Sequence, residues 1–323
     1  MASGREGGFL VVGRAGMDLM PDPAGTAIED AERFVSALGG SAANIAVALT
    51  RQGERAALLT CVSDDAIGRY CVAQLDRYGI DRTHVRPVGG EARNSLALSE
   101  SRLEGHQTVI YRNGVADFEM SVEDVEAVEY ARFSALVATG TVLAAEPSRS
   151  AAFRAIALAK EAGCEIVFDV DYRPYSWGSA SEAAEVCGRA AALSDVVVGN
   201  DVEFGVLVGD AARGIEHARG LAASSASLVI YKMGRDGALT FAGGREIRTG
   251  VYTVPALKPT GAGDAFLGTL LAARAAGHGV KDAVLHGSAA AAIVVGRVGC
   301  APAMPTAAEL DAFIAAHPGP TIP

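Results

Sequence analysis

The chain has 323 residues, half of them hydrophobic and a fifth charged, and carries a net charge of −10. That balance excludes a disordered chain and argues against a nucleic-acid partner, which needs clustered lysine and arginine to displace counterions. It leaves room for a small anion, which needs only a local positive site.

The chain opens MASGREGGFLVVG, whose apolar run is too short for a signal peptide, and SAAAAIVVG at 288–296 is far too short to cross a bilayer. A cytoplasmic protein with no membrane partner is expected. Short β-branched or leucine-rich runs at 9–13, 56–62, 135–140, 165–171, 196–200 and 227–234 predict strands. Helical segments are predicted between them at 42–52, 66–78, 148–162, 182–193 and 214–223, then at 262–276, 280–296 and 307–316. Continuous apolar strands separated by helices imply an α/β, doubly wound, mostly parallel sheet. The five cysteines (Cys61, Cys71, Cys164, Cys187, Cys300) form no C-x-x-C pair and read as buried thiols.

Two segments interrupt this rhythm. Residues 14–32 are rich in Pro, Asp and Gly, and residues 86–118 hold NSLALSES and QTVIYRNG, which alternate in strand fashion around Glu104-Gly105. Together they predict a small β-sheet lid outside a core of 1–13, 33–85 and 119–323. Such a lid excludes water from a reacting centre, and its exposed sheet can pair with a second copy as a homodimer.

Ligands of open α/β sheets bind beyond the carboxyl ends of the strands. There the chain supplies Arg14 and Asp18 in GRAGMDLM, Gly39, Gly40 and Asn44 in GGSAANIAVAL, then DVDYRP, NDVE and KMGRDG. Taken singly, these are ordinary helix starts, caps and turns. In LKPTGAGDAFLG at 257–268, Gly261-Ala262-Gly263 bares backbone N–H groups at a helix start, an anion hole. A carboxylate beside it, Asp264, can take the proton of a substrate hydroxyl while the hole stabilises a transferring phosphoryl group. No G-x-x-x-x-G-K-[ST] loop is present, and GAGDAF lacks the third glycine of a dinucleotide fingerprint.

GGSAANIAVALTRQG and PTGAGDAFLGTLL, at this separation, resemble the two signatures of the ribokinase-like, or PfkB, carbohydrate kinases, and the resemblance covers nearly the whole chain. It implies a kinase using ATP and Mg²⁺ on a small-molecule sugar or sugar acid. By resemblance, Asp264 is the base, Gly261, Ala262 and Gly263 form the hole, and Asp18, Gly40 and Asn44 hold the sugar. Asn200 and Glu203 match an N-x-x-E element that positions Mg²⁺ through water. Lys232, Gly234 and Gly237, with Ala289 and Ile293, would line the nucleotide pocket.

GRAGMDLMP, IYRNGVAD, FDVDYRPYSW and VGCAPAMPT, with Lys258 in LKPTGAGD, resemble the branch acting on 5-dehydro-2-deoxygluconate in inositol catabolism. The carboxylate of such a substrate calls for a guanidinium, with Arg14 and Arg112 as candidates. A 2-keto-3-deoxygluconate kinase or fructokinase is a second reading, and a non-catalytic sugar or nucleotide sensor a third, disfavoured by the intact Asp264. The chain departs from the family at Asp171, commonly Asn, and at Lys258, commonly an Asp that helps hold a monovalent cation. A lysine has no lone pair for such an ion. Lys258, one of only four lysines, either reaches solvent or sets its own charge against backbone carbonyls of the loop.

Overall fold

The structure is a computed structural model that describes residues 7–317 and 319–320. Residues 1–6, 318 and 321–323 of the expected core segments lie outside the described residues. The described residues divide into two compact units, one of 7–13 with Phe118–Gly250, the other of Arg14–Asp117 with the described residues from Val251 to 320.

In the first unit, strands Gly8–Val12, Phe133–Thr139, Glu165–Asp169, Val196–Asn200 and Leu228–Lys232 lie side by side in that order. All four pairings are parallel. Their side chains are buried almost without exception, which is why they read as unbroken apolar runs rather than alternating ones. Helices Ser148–Glu161, Ala180–Ala192, Asp201–Val208 and Gly214–Ser224 fall between successive strands of this set. The Ser179 side chain accepts from the Glu182 N–H and starts the second of these.

Several boundaries differ from the sequence expectation. The strand predicted over 165–171 stops at Asp169, because Asp171 takes φ 36°, outside extended backbone. The strand predicted over 227–234 stops at Lys232, where Met233 N–H closes onto the Gly237 carbonyl at 2.8 Å. The chain then returns antiparallel as Ala238–Ala242 and turns through Gly243-Gly244 into Arg245–Thr249. This hairpin is absent from the sequence expectation, although a Gly-Gly pair between strand-like runs is its usual signal. The helix Asp201–Val208 is absent from it too.

In the second unit, strands Ala56–Ser63 and Val85–Val88 pair in parallel. A separate four-stranded sheet has the order Phe34–Gly39, Gly16–Pro21, Leu96–Ser99, Thr108–Tyr111. The expected hairpin is present, with Ser99 opposite Thr108. The 14–32 excursion contributes the strand Gly16–Pro21. Phe34–Gly39 belongs to this sheet as well, past the boundary drawn at residue 33.

Helices Ser41–Arg51, Ala66–Arg77, Ala262–Ala275, Val280–Val295 and Ala307–Ala316 complete the unit. Ala262–Ala275 packs on both Val280–Val295 and Ser41–Arg51. Its approach to the latter is close: a Cβ on Gly268 would stand 2.5 Å from the Ala48 Cβ and 2.9 Å from the Ile45 carbonyl oxygen. Only glycine permits that spacing, and the spacing brings the first turns of the two helices within reach of each other. All five cysteines are buried and none is in a disulfide, and burial pushes the thiols of Cys71, Cys187 and Cys300 up to about 12. Among the described residues no helix is long and apolar enough to cross a membrane.

Candidate active site

Within the second unit, the residues picked out near the two ends of the chain converge. The Asn44 side chain, in the first turn of its helix, donates from Nδ2 to Asp264 Oδ2 at 2.8 Å. Asp264 lies in the first turn of Ala262–Ala275, which begins at Gly261 in the left-handed region (φ 82°) with no side chain capping it. The cap residue thus offers no side-chain acceptor to the leading N–H groups of that helix, which suits an anion hole.

The strand Gly16–Pro21 presents Asp18, which is buried. Burial raises its carboxyl above the ordinary range, opposed by Arg14, by a hydrogen bond from Cys300 and by Lys258. Asp18 Oδ1 and Asn44 Oδ1 are buried acceptors without a partner among the described residues. Two such atoms on neighbouring elements are costly unless hydroxyls of a ligand reach them. Gly40 is required beside them: its φ is 98°, and a Cβ there would stand 2.3 Å from the Arg14 carbonyl oxygen.

The two candidate arginines have different surroundings. Arg112 Nη2 donates to Asp117 Oδ2 at 2.6 Å, and both side chains are buried, so its charge is already matched. Arg14 Nη1 donates to the Ser95 hydroxyl at 2.8 Å, and its field acts on Asp18. The hydrogen bond that holds the Arg14 guanidinium is thus to a neutral group, unlike the one that holds Arg112.

Lys258 is 1% exposed. Its Nζ donates to the Thr260 carbonyl at 2.5 Å and to the Val294 carbonyl at 3.4 Å. Of the two readings of this residue, the solvated one is excluded. Burial lowers its ammonium below the usual lysine range, opposed by Cys300, Asp264 and Asp18. Ala289 is completely buried and Ile293 nearly so, on Val280–Val295.

In the first unit, Asn200 and Glu203 form a reciprocal cap on Asp201–Val208: the Glu203 N–H donates to Asn200 Oδ1 at 2.9 Å and the Asn200 N–H to Glu203 Oε2 at 2.6 Å. The N-x-x-E element is thus a helix start as well as a candidate ligand site. Burial raises the Glu203 carboxyl; Lys232 and the Asn200 N–H lower it, Asp171 raises it further and Arg173 lowers it. Lys232 stands opposite Asn200 in the sheet register. Asp171 is held by Arg173 at 2.8 Å and by the Thr141 hydroxyl at 3.3 Å. Gly234 and Gly237 bound the turn after Leu228–Lys232, both at positive φ.

Among the described residues no three His, Cys, Asp or Glu side chains stand close enough to hold a metal directly. Mg²⁺ would fit this donor set only through water and phosphate, its usual habit: Glu203 and Asp171 are two buried carboxylates in each other's field, and a divalent cation held nearby would relieve that repulsion.

Sequence reasoning missed Ser95, Asp117 and Cys300. Cys300 hydrogen-bonds Asp18, takes a hydrogen bond from Thr260, and lies where a Cβ on Gly261 would meet its Sγ at 3.1 Å. Its only signal was its place in VGCAPAMPT.

The 5-dehydro-2-deoxygluconokinase of Photobacterium profundum is 37% identical over 310 residues, 94% of each chain. A fructokinase double mutant from Vibrio cholerae O395, solved with fructose, ADP and potassium ion, is 27% identical with a TM-score of 0.84, over 96% of this chain and 99% of that one. A fructokinase from Xylella fastidiosa with bound ATP superposes with a TM-score of 0.85 at 22% identity, over 96% and 98% of the two chains, and shares the fold. The pfkB family carbohydrate kinase profile matches residues 8–307. With both signatures in place at the Asn44–Asp264 contact and the match running almost end to end, the chain belongs to the pfkB family of carbohydrate kinases.

Proposed function

We propose that this kinase transfers the γ-phosphoryl group of ATP to a primary hydroxyl of a six-carbon keto-deoxy sugar acid, 5-dehydro-2-deoxy-D-gluconate. The observation that carries the reading is Asp264, held by Asn44 at the uncapped start of its helix. Asp264 takes the hydroxyl proton as the substrate oxygen attacks the γ-phosphorus. The bond from that phosphorus to the bridging oxygen breaks, and ADP leaves. The N–H groups following Gly261 stabilise charge on the phosphoryl oxygens in flight.

Asp18 and the unpartnered Asn44 Oδ1 accept from sugar hydroxyls, and Arg14 meets the carboxylate. The substrate follows from the likeness to the Photobacterium enzyme. The nucleotide follows from the ATP and ADP of the two fructokinase structures. Lys232, Gly234, Gly237, Ala289 and Ile293 are assigned to that nucleotide, and Asn200 and Glu203 to its Mg²⁺ through water. Mg²⁺, when bound with ATP, neutralises charge on the β- and γ-phosphates.

A coupled assay of ADP release over 5-dehydro-2-deoxygluconate, 2-keto-3-deoxygluconate, fructose and ribose tests the reading. The highest kcat/KM is expected with 5-dehydro-2-deoxygluconate; a neutral sugar ranking first refutes the sugar-acid assignment, and no turnover on any sugar refutes the kinase. The edge strands of the small sheet expose Phe34, Val35, Val109 and Tyr111, which supports pairing with a second copy. Light scattering at micromolar concentration tests this, and a monomer mass refutes it.

A further inference from the structure

An ammonium removed from water must be compensated by hydrogen bonds and opposite charge. Lys258, at 1% exposure, has both. Its backbone is fixed first: the N–H groups of Leu257 and Lys258 both donate to the Val295 carbonyl, at 2.7 and 3.1 Å. That pins this stretch to the C-terminal turn of Val280–Val295, where carbonyls lack helical partners and the helix dipole is negative. The side chain then reaches the carbonyl of Val294 in the same turn and the carbonyl of Thr260, the residue before Gly261. One ammonium therefore joins the negative end of one helix to the turn that starts another. Around it lie Asp18, Asp264 and Cys300. Both acids belong to the candidate site, and both feel the field of the lysine's charge.

We propose that Lys258 is a tethered cation: a positioning residue that fixes the Thr260 carbonyl, and hence the Gly261 turn and the N–H groups after it, while setting positive charge beside Asp264 and adding to that of Arg14 beside Asp18. A cation attached to the chain is present at unit occupancy whatever the salt. The catalytic part of this inference rests on the kinase reading above; the cation site itself does not.

Shortening the side chain leaves a small space lined by carbonyl oxygens, into which a free monovalent cation of the right size can enter. The test is Lys258→Ala beside the unmodified enzyme, each in choline chloride, potassium chloride and ammonium chloride, read by thermal unfolding and by turnover. In the unmodified enzyme neither quantity should depend on which cation is present. The variant should unfold at a lower temperature in choline and regain most of that loss in ammonium or potassium, a result independent of any activity. Its kcat in choline should fall about ten- to hundredfold, as for loss of an outer partner that orients a reacting group, with part of the loss restored by ammonium.

Activation of the unmodified enzyme several-fold by potassium overturns the proposal. So does a variant whose turnover stays within about twofold of the original, or one whose losses no cation restores, since the lysine would then be packing alone. Should Lys258→Ala fail to fold, Lys258→Met fills the same space without charge. The proposal then requires it to fold and to lose turnover in every salt, and a fully active Lys258→Met overturns it. If the unmodified enzyme phosphorylates nothing, the unfolding measurements still decide the cation site, and only the kinase reading falls.

Discussion

Asp264→Asn removes the proposed proton acceptor while keeping a side chain of the same shape. The carboxylate takes a hydrogen bond from Asn44 Nδ2 at 2.8 Å, and Asn44 Oδ1 has no partner among the described residues. Rotating the Asn44 amide by half a turn lets Oδ1 accept from the introduced amide, so the contact between the two helices survives. Unfolding temperature should therefore change little. The negative charge next to Lys258 is lost, but the ammonium keeps its bonds to the Thr260 and Val294 carbonyls. A positioned base contributes about 10²- to 10⁴-fold to rate, which at 1.36 kcal/mol per decade is about 2.7 to 5.4 kcal/mol of barrier. The expected result is a fall of that size in kcat, with the ATP dissociation constant by calorimetry within about twofold of the original. The assay is ADP release at saturating sugar acid and Mg-ATP, with circular dichroism confirming the fold. A kcat within about tenfold of the original enzyme would falsify the assignment of Asp264 as base, and an unfolded variant would show that the Asn44 contact cannot rearrange as argued.

Arg14→Met should cut kcat/KM for the sugar acid by about ten- to hundredfold, the 1.5–3 kcal/mol of a charged hydrogen bond, and spare a neutral sugar; an equal loss on both would count against a carboxylate contact. Asp18→Asn should raise KM for the sugar by a similar factor while raising the unfolding temperature at neutral pH. The sign follows from burial lifting the Asp18 carboxyl above its ordinary range: the stability tied to its protonated form is complete at low pH and lost as pH rises through the shifted value. The stabilisation should therefore vanish in acid, and a variant less stable at neutral pH contradicts it. Glu203→Gln keeps the helix cap, since an amide oxygen can also accept from the Asn200 N–H, and should raise the Mg²⁺ concentration for half-maximal turnover about tenfold. An unchanged Mg²⁺ titration removes Glu203 from that role.

What could be read from the sequence follows from what leaves a local trace. Strands buried on both faces, such as Gly8–Val12 and Val196–Asn200, are contiguous apolar runs and were legible. The helix Asp201–Val208 was not, because its eight residues are apolar nearly all round and show no 3.6-residue period. The hairpin at Gly243-Gly244 has its turn signal, but an apolar run that continues through Gly234 blurs the end of the strand before it. The candidate residues were found from motif and strand ends, yet their pairing was not, since Asn44 and Asp264 are 220 residues apart. Burial is likewise invisible locally: Lys258 could equally have been solvated, and Arg112 gave no hint of Asp117 as its partner. Cys300 is an ordinary buried thiol until its neighbours, Asp18, Lys258 and Gly261, are known.

That separation of 220 residues also bears on synthesis. The Ser41–Arg51 helix is buried along nearly its whole length, and one of the surfaces that covers it, Ala262–Ala275, is made late. At about 5 to 20 residues per second, the ribosome takes roughly 10 to 45 s to cover that distance. During the interval Phe118–Gly250 emerges and can fold first, while the alanine-rich face near the N-terminus waits uncovered, a natural target for chaperones. The nascent chain gains its proposed base only when the helix carrying Asp264 docks, so an incomplete chain is not expected to consume ATP by this route.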